Sequence, residues 1–285
     1  MYVLCCPCIL SPALRAEGIT RQSDLQAFER TKARCKAFGI EMVPLPCPET
    51  LFLGKARKPG TFLERLDSPA FAKLLEDLEA QSREVVAKNG PPLCIIGVNS
   101  SPACGVTSTY FGSRGSESPK RTGRGVFLSR FPEITAIDTI TFSRYRVYLA
   151  APLFSAAERT YNAVIADLLK KNLFEVYLPQ DAGDDSTGRG MEEHQRLFTV
   201  NKEALARSDI VVAIVDGADA DSGTSWEMGY AYAKGIPVIA LRTDFRHVGA
   251  CEHVNLMLEQ SATVVTTPEQ LLHALSAPVH LKEDR

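Results

Sequence analysis

The sequence predicts an α/β protein of two domains, each built on a doubly wound, mainly parallel sheet. Three observations carry this expectation. The chain has 285 residues, about twice the ~150 of an ordinary domain. Short apolar runs alternate with longer amphipathic stretches, the pattern of βαβ units. The alternation pauses near Thr141–Arg146 and then restarts, which divides the chain into domains 1–143 and 144–285. Both halves read as flavodoxin- or Rossmann-like.

In the first half, Tyr2–Leu4 is a short buried strand and Ser23–Phe38 a charged helix. Strand Ile40–Leu45, amphipathic helix Pro69–Lys88 and strand Leu93–Val98 follow. The segment Gly112–Gly125, GSRGSESPKRTGRG, reads as a surface loop or hairpin, or else as an anion-binding lid. In the second half the strands are Val147–Ala150, Phe174–Leu178, Ile210–Val215, Pro237–Leu241 and Thr263–Val265. Between them lie helices Ser155–Lys171, Glu192–Arg207 and Trp226–Lys234, the last closed by Gly235. A final helix runs Pro268–Ala277, with proline suited to its first turn.

Apolar residues make up 45% of the chain and charged residues 23%, which excludes a disordered chain, a collagen-like repeat and a coiled coil. No apolar run approaches the ~18 residues of a membrane span. Lys and Arg number 32 against 34 Asp and Glu, so the basic footprint of a general nucleic-acid binder is missing. The composition points to small-molecule chemistry. The start, Met1-Tyr-Val-Leu-Cys-Cys-Pro-Cys8, has no basic segment and no cleavage site, so no signal peptide is expected and the cytoplasm is the expected compartment. Thiols there stay reduced, which favours metal or redox chemistry over disulfides.

The segment from Asp216 to Glu227 joins a buried strand to a helix and gathers Asp219, Asp221 and Glu227 at one strand end, with Gly223 allowing a ligand close to the backbone. Two carboxylates there can divide the work of glycosyl transfer, one attacking the anomeric carbon and the other managing the leaving group's proton. A nucleophile at a helix start is expected to stay ionised. Thr224-Ser-Trp-Glu227 also fits a capping box, in which the glutamate only satisfies a backbone N–H. The spacing of a calcium loop is not met.

Residues 146–277 resemble the nucleoside 2-deoxyribosyltransferase family. The matching pieces are Val147-Tyr-Leu-Ala-Ala-Pro-Leu-Phe154, Ser208-Asp-Ile-Val-Val-Ala-Ile-Val-Asp216, the stretch from Asp221 to Gly235, and Asn255-Leu-Met257. The resemblance implies that Glu227 is the glycosylated nucleophile, that Asp221 helps the departing base, and that Tyr148, Asn255 and Met257 line the substrate pocket. Where the family commonly carries a base-contacting aspartate, this chain has Asn201. An amide donates and accepts hydrogen bonds but shuttles no proton, which leaves base preference and transferase versus hydrolase open.

Seven of the eight cysteines precede residue 105. Cys8, Cys47 and Cys104 each follow a predicted strand, and ligands of open parallel sheets bind beyond the carboxyl ends of the strands. Neither Cys47 nor Cys104 has the compact C-x2-C spacing of a metal motif, so small buried residues are the competing reading. Cys5 and Cys6 alternate along an extended strand, so at most one faces a site. Cys35 and Cys94 read as core, and Cys251 as structural.

Residues 1–140 resemble the thiouracil desulfidases and their uncharacterised single-domain relatives. Cys8-Ile-Leu-Ser11, Pro46-Cys-Pro-Glu-Thr-Leu-Phe-Leu-Gly54 with Arg57-Lys-Pro59, and Ser101-Pro-Ala-Cys-Gly-Val106 carry this resemblance. It implies a [4Fe–4S] cluster on Cys8, Cys47 and Cys104 with one iron open to sulfur from a thiolated pyrimidine. Glu49 and Ser101 are then candidates for proton handling. The Cys5-Cys6-Pro-Cys8 run leaves the first ligand ambiguous, and Ile9-Leu10 favours Cys8.

The expected partners are nucleosides or nucleotides and (thio)nucleobases, in a homo-oligomer, with no cofactor in the second half. Two other readings stay open: a nucleotide-sensing module without turnover, and a glycosidase whose cysteine domain is structural or redox.

Overall fold

The computed structural model describes residues 1–112, 119–183, 190–246, 249 and 252–276. The chain divides into two compact units, Met1–Ser143 and Arg144–Arg285.

The first unit contains, in order, β1 (Tyr2–Cys5), α1 (Gln22–Ala37), β2 (Glu41–Pro44), α2 (Pro48–Leu53), α3 (Phe62–Arg65), α4 (Pro69–Asn89), β3 (Ile95–Gly97), β4 (Ser108–Tyr110), β5 (Lys120–Thr122), β6 (Ala136–Asp138) and α5 (Thr139–Phe142). Its main sheet has the order β2-β1-β3-β6, parallel throughout. Val3, Leu4, Ile95 and Ile96 are buried on both faces, as a sheet covered by helices requires. β4 and β5 form a separate antiparallel hairpin, so the flanks of the Gly-, Ser- and Arg-rich segment are paired; its residues 113–118 lie outside the described residues. Cys35 and Cys94 are core, as read.

The second unit contains β7 (Arg146–Ala150), α6 (Ala156–Lys171), β8 (Glu175–Tyr177), α7 (Met191–Arg207), β9 (Ile210–Ile214), α8 (Ser222–Ala233), β10 (Val238–Leu241), α9 (Leu256–Ser261), β11 (Thr263–Val265) and α10 (Pro268–Ser276). Its sheet order, β11-β10-β9-β7-β8, is parallel throughout and is the doubly wound 2-1-3-4-5 arrangement. The order reverses between β7 and β9, and there the adjoining loops part to leave room for a ligand. The core joins Tyr148, Val211, Ala213, Val215, Met228 and Ala240.

One element differs from expectation in a way that matters. α8 begins at Ser222, four residues before the predicted Trp226, because Asp221 caps it: its Oδ2 accepts from Thr224 N at 3.0 Å. Thr224 is therefore inside the helix and not its cap, which removes the capping-box reading of Glu227.

Candidate functional site

At the switch point of the second sheet, a cavity of about 300 Å³ is lined by Tyr148, Asn201, Gly223 and Glu227, with Phe198 and Trp226. Each wall has a local cause. Tyr148 sits fully buried in the middle of β7, and its hydroxyl donates a hydrogen bond to Glu227 Oε1. Tyr177, its register partner on β8, stacks on it with ring centroids 5.4 Å apart. The Tyr177 hydroxyl in turn donates to Asn201 Oδ1 at 2.7 Å. With one acceptor site of its carbonyl oxygen taken by Tyr177, Asn201, which lines the cavity, keeps its NH2 group as a donor.

Glu227 is not held ionised by a helix terminus as the sequence suggested. It lies in the second turn of α8, and burial raises its carboxyl to about 7, against the Tyr148 hydrogen bond that lowers it, with Asp221's charge raising it further. Desolvation outweighs the helix dipole because the dipole's influence fades beyond the first turn. Tyr148 is itself held above the ordinary tyrosine range, by burial first and then by the neighbouring Glu227 charge.

The other expected residues stand further out. Asp221 caps α8 close enough to act on Glu227 electrostatically. Asp219 is exposed and, among the described residues, its side chain accepts from its own neighbour, Ala220 N, at 2.9 Å. Asn255 caps α9, accepting from Met257 N at 3.0 Å, and Met257 is 76% exposed; neither lines the cavity. Sequence reasoning missed Tyr177, Phe198 and Trp226. The α7 stripe Phe198, Asn201, Lys202, Leu205 at helical spacing could have disclosed the face that lines the pocket.

In the first unit, Cys8 lies in a turn after β1, Cys47 immediately before α2, and Cys104 in the loop after β3. A chain of hydrogen bonds and one ion pair runs between two of them. Cys104 N donates to Ser101 Oγ at 3.0 Å, and Ser101 Oγ donates to Glu49 Oε1 at 2.8 Å. Glu49 faces Arg57, whose Nη1 donates to Thr50 Oγ1, and Thr50 Oγ1 bonds Cys47 Sγ at 3.1 Å. Burial raises the Cys8 thiol, with Cys104 adding to it and Arg15 opposing. Burial likewise raises Cys47, with Cys104 again adding. Cys6 is raised first by the hydrogen bond it donates to Cys104, then by burial. Cys5 is raised by burial first, with Cys35 adding to it.

The Cys104 loop is rigidly set. Asn99 Oδ1 accepts from Val106 N at 3.0 Å, Thr107 N at 2.9 Å and Ser108 N at 3.4 Å. Gly97 lets the loop fold back on β3: a Cβ there would lie 2.7 Å from Cys104 O. Among the described residues, no group of three or more His, Cys, Asp or Glu forms a ligand set for a metal ion. Cys251 lies outside the described residues.

Residues 147–266 match the model of the nucleoside 2-deoxyribosyltransferase family. No curated protein matches the chain. Among solved structures, a conserved protein of Enterococcus faecalis is 32% identical, with 46% of this chain and 96% of that one covered and a TM-score of 0.40. A 2-deoxyribosyltransferase of Bacillus psychrosaccharolyticus is 22% identical, covering 48% and 99%, with a TM-score of 0.41. A CMP N-glycosidase of Clostridium botulinum is 17% identical, covering 46% and 99%, with a TM-score of 0.30.

Proposed function

We propose, with residues 147–266 as a nucleoside 2-deoxyribosyltransferase domain, that the second half of this chain cleaves the N-glycosidic bond of a 2′-deoxynucleoside or its nucleotide. The observation that carries this reading is a half-buried carboxylate, Glu227, held by Tyr148 in a cavity of about 300 Å³. The free Glu227 oxygen attacks the anomeric carbon. As the C–O bond forms, the C–N bond breaks and the base leaves with its electron pair. Asp221 assists the departing base, and Asn201 offers it hydrogen-bond donors. A second base, or water, then attacks the same carbon and releases the Glu227 carboxylate. The sugar-side roles of Asn255 and Met257 rest on the sequence resemblance alone.

Anaerobic incubation with mixed deoxynucleosides and free bases, followed by chromatography, tests this reading. A new deoxynucleoside identifies a transferase, and free sugar a hydrolase. Either product must vanish in Glu227→Ala. Nucleotide binding without any product would make the domain a sensor.

We further propose that the first half desulfurises a thiolated pyrimidine with a [4Fe–4S] cluster on Cys8, Cys47 and Cys104. The donor chemistry fits: soft thiolates from three strand ends suit an iron–sulfur cluster. A cluster also spreads its ligands more widely than one ion does. Bound there, it would supply an iron open to sulfur, while Glu49 and Ser101, already hydrogen-bonded, pass a proton. Iron and acid-labile sulfide assayed after anaerobic purification should be present in the wild type and in Cys6→Ser. Each should be lost in Cys8→Ser, Cys47→Ser and Cys104→Ser. Their absence from the wild type would leave this domain a structural or redox partner.

We place both reactions in the cytoplasm on the sequence reading alone; among the described residues no helix is long and apolar enough to cross a membrane. A homo-oligomer is proposed because Phe198 and Trp226 at the cavity, 53% and 49% exposed, and Phe154, 74% exposed, leave large apolar rings open to solvent. Light scattering of the eluted protein measures it.

A further inference from the structure

Three guanidinium nitrogens in the first unit are buried without a hydrogen-bond partner among the described residues: Nε and Nη1 of Arg15 and Nε of Arg57. Buried charged donors are almost always satisfied, and an exception calls for a missing partner. Arg57 is only 5% exposed, and its Nε stands 3.7 Å from Glu49 Oε2, beyond hydrogen-bond reach. Its Nη1 is used on Thr50 Oγ1 and Gly54 O. Arg15 directs Nη2 toward Asp24 at 3.4 Å and lies over the Phe28 ring, which leaves its other two nitrogens unmatched.

The two arginines border one place. Glu17 N donates to Arg57 O, and Thr50 Oγ1 donates to Leu14 O, which ties the segment of Arg15 to that of Arg57. Cys8 lies within electrostatic reach of both Arg15 and Glu49.

We propose that Arg15 and Arg57 form a binding site for a small monoanion, received by these three donor nitrogens beside Cys8 and Glu49. Charge selects the class. Each guanidinium already faces one carboxylate, Asp24 or Glu49, so the site carries no excess positive charge: the ligand is held by hydrogen bonds to the unmatched donors, and a dianion, costlier to strip of water, is disfavoured. A carboxylate and a hydrosulfide share the required chemistry, a compact monoanion with acceptor lone pairs. This inference does not depend on glycosyl transfer in the second domain.

The test is titration calorimetry of the anaerobically purified full chain with sodium formate and, separately, sodium hydrosulfide at constant ionic strength, with sulfate as the dianion. At least one monoanion should saturate one site per chain, and sulfate should bind about tenfold more weakly or not at all. Saturation by formate alone assigns a carboxylate ligand, and by hydrosulfide alone a sulfur ligand. Arg15→Lys and Arg57→Lys keep the charge but remove the guanidinium fork, and each should weaken binding about tenfold. Binding of neither monoanion, or equal affinity in wild type and both variants, overturns the proposal. If the variants do not fold, hydrogen exchange of the wild type decides: the anion must protect amides in segments 11–17 and 54–58, and no protection there overturns it equally.

Discussion

The Tyr148 hydroxyl donates to Glu227 Oε1 across 79 residues of sequence, joining the middle of β7 to the second turn of α8. That bond works against burial. Burial alone would favour a neutral Glu227, and the hydroxyl restores part of the preference for the carboxylate.

The pH dependence of catalysis follows. A nucleophilic carboxylate must be ionised, so kcat/KM should rise about tenfold per pH unit below about 7 and level off above it. In Tyr148→Phe the supporting bond is gone, and the inflection should move to higher pH. A profile that stays flat from pH 5 to 8 would count against Glu227 as the nucleophile.

Stability should move the opposite way. The folded carboxyl is raised from 4.5 to about 7, so the folded state favours the protonated form, and stability falls as pH rises from the lower value to the upper. The loss above pH 7 is at most ~3 kcal/mol. Glu227→Gln, which cannot ionise, should therefore melt higher than the wild type at pH 8 and nearly equally at pH 4. Calorimetry at both pH values checks this.

Base selection should depend on a residue that touches no base. Tyr177 holds the Asn201 amide by its oxygen. Tyr177→Phe frees the amide to rotate, and one neutral hydrogen bond is worth ~0.5–1.5 kcal/mol. Discrimination between keto and amino bases should fall roughly two- to tenfold, while release of the first base keeps its pH profile.

A structural pair holds the entry to this domain. Asp209, 1% exposed, accepts from Arg146 Nη2 at 3.0 Å and Nε at 3.1 Å, and from Arg146 N at 3.0 Å. Removing one partner of such a pair strands the other and its backbone donor. Asp209→Ala should cost roughly 3 kcal/mol in denaturant unfolding.

The alternation of apolar runs located every strand of the second sheet: the central strands β7, β9 and β10, buried on both faces, read as nearly continuous apolar runs, and the edge strands β8 and β11 as shorter, partly exposed ones. β6 escaped notice because Ala136-Ile-Asp138 is three residues long and ends on a carboxylate whose oxygens accept from Asn99 N and Ile140 N. The start of α8 was misplaced because Ser222-Gly-Thr-Ser are poor helix formers; the cap that starts it is a tertiary and local bonding matter. Glu227 and Cys104 were legible as strand-end residues. Tyr177 and the orphan nitrogens of Arg15 and Arg57 were not, since stacking and an unmet donor exist only once distant segments meet.

The Asn99 clamp has a kinetic meaning. One side-chain oxygen gathers three successive backbone N–H groups, so the ordering entropy of the Cys104 loop is lost once, when the chain folds, and not again at each encounter with a ligand. Association at this strand end should then resemble a collision with a rigid receptor, its rate set by access and steering, with no waiting time for a loop to find its shape.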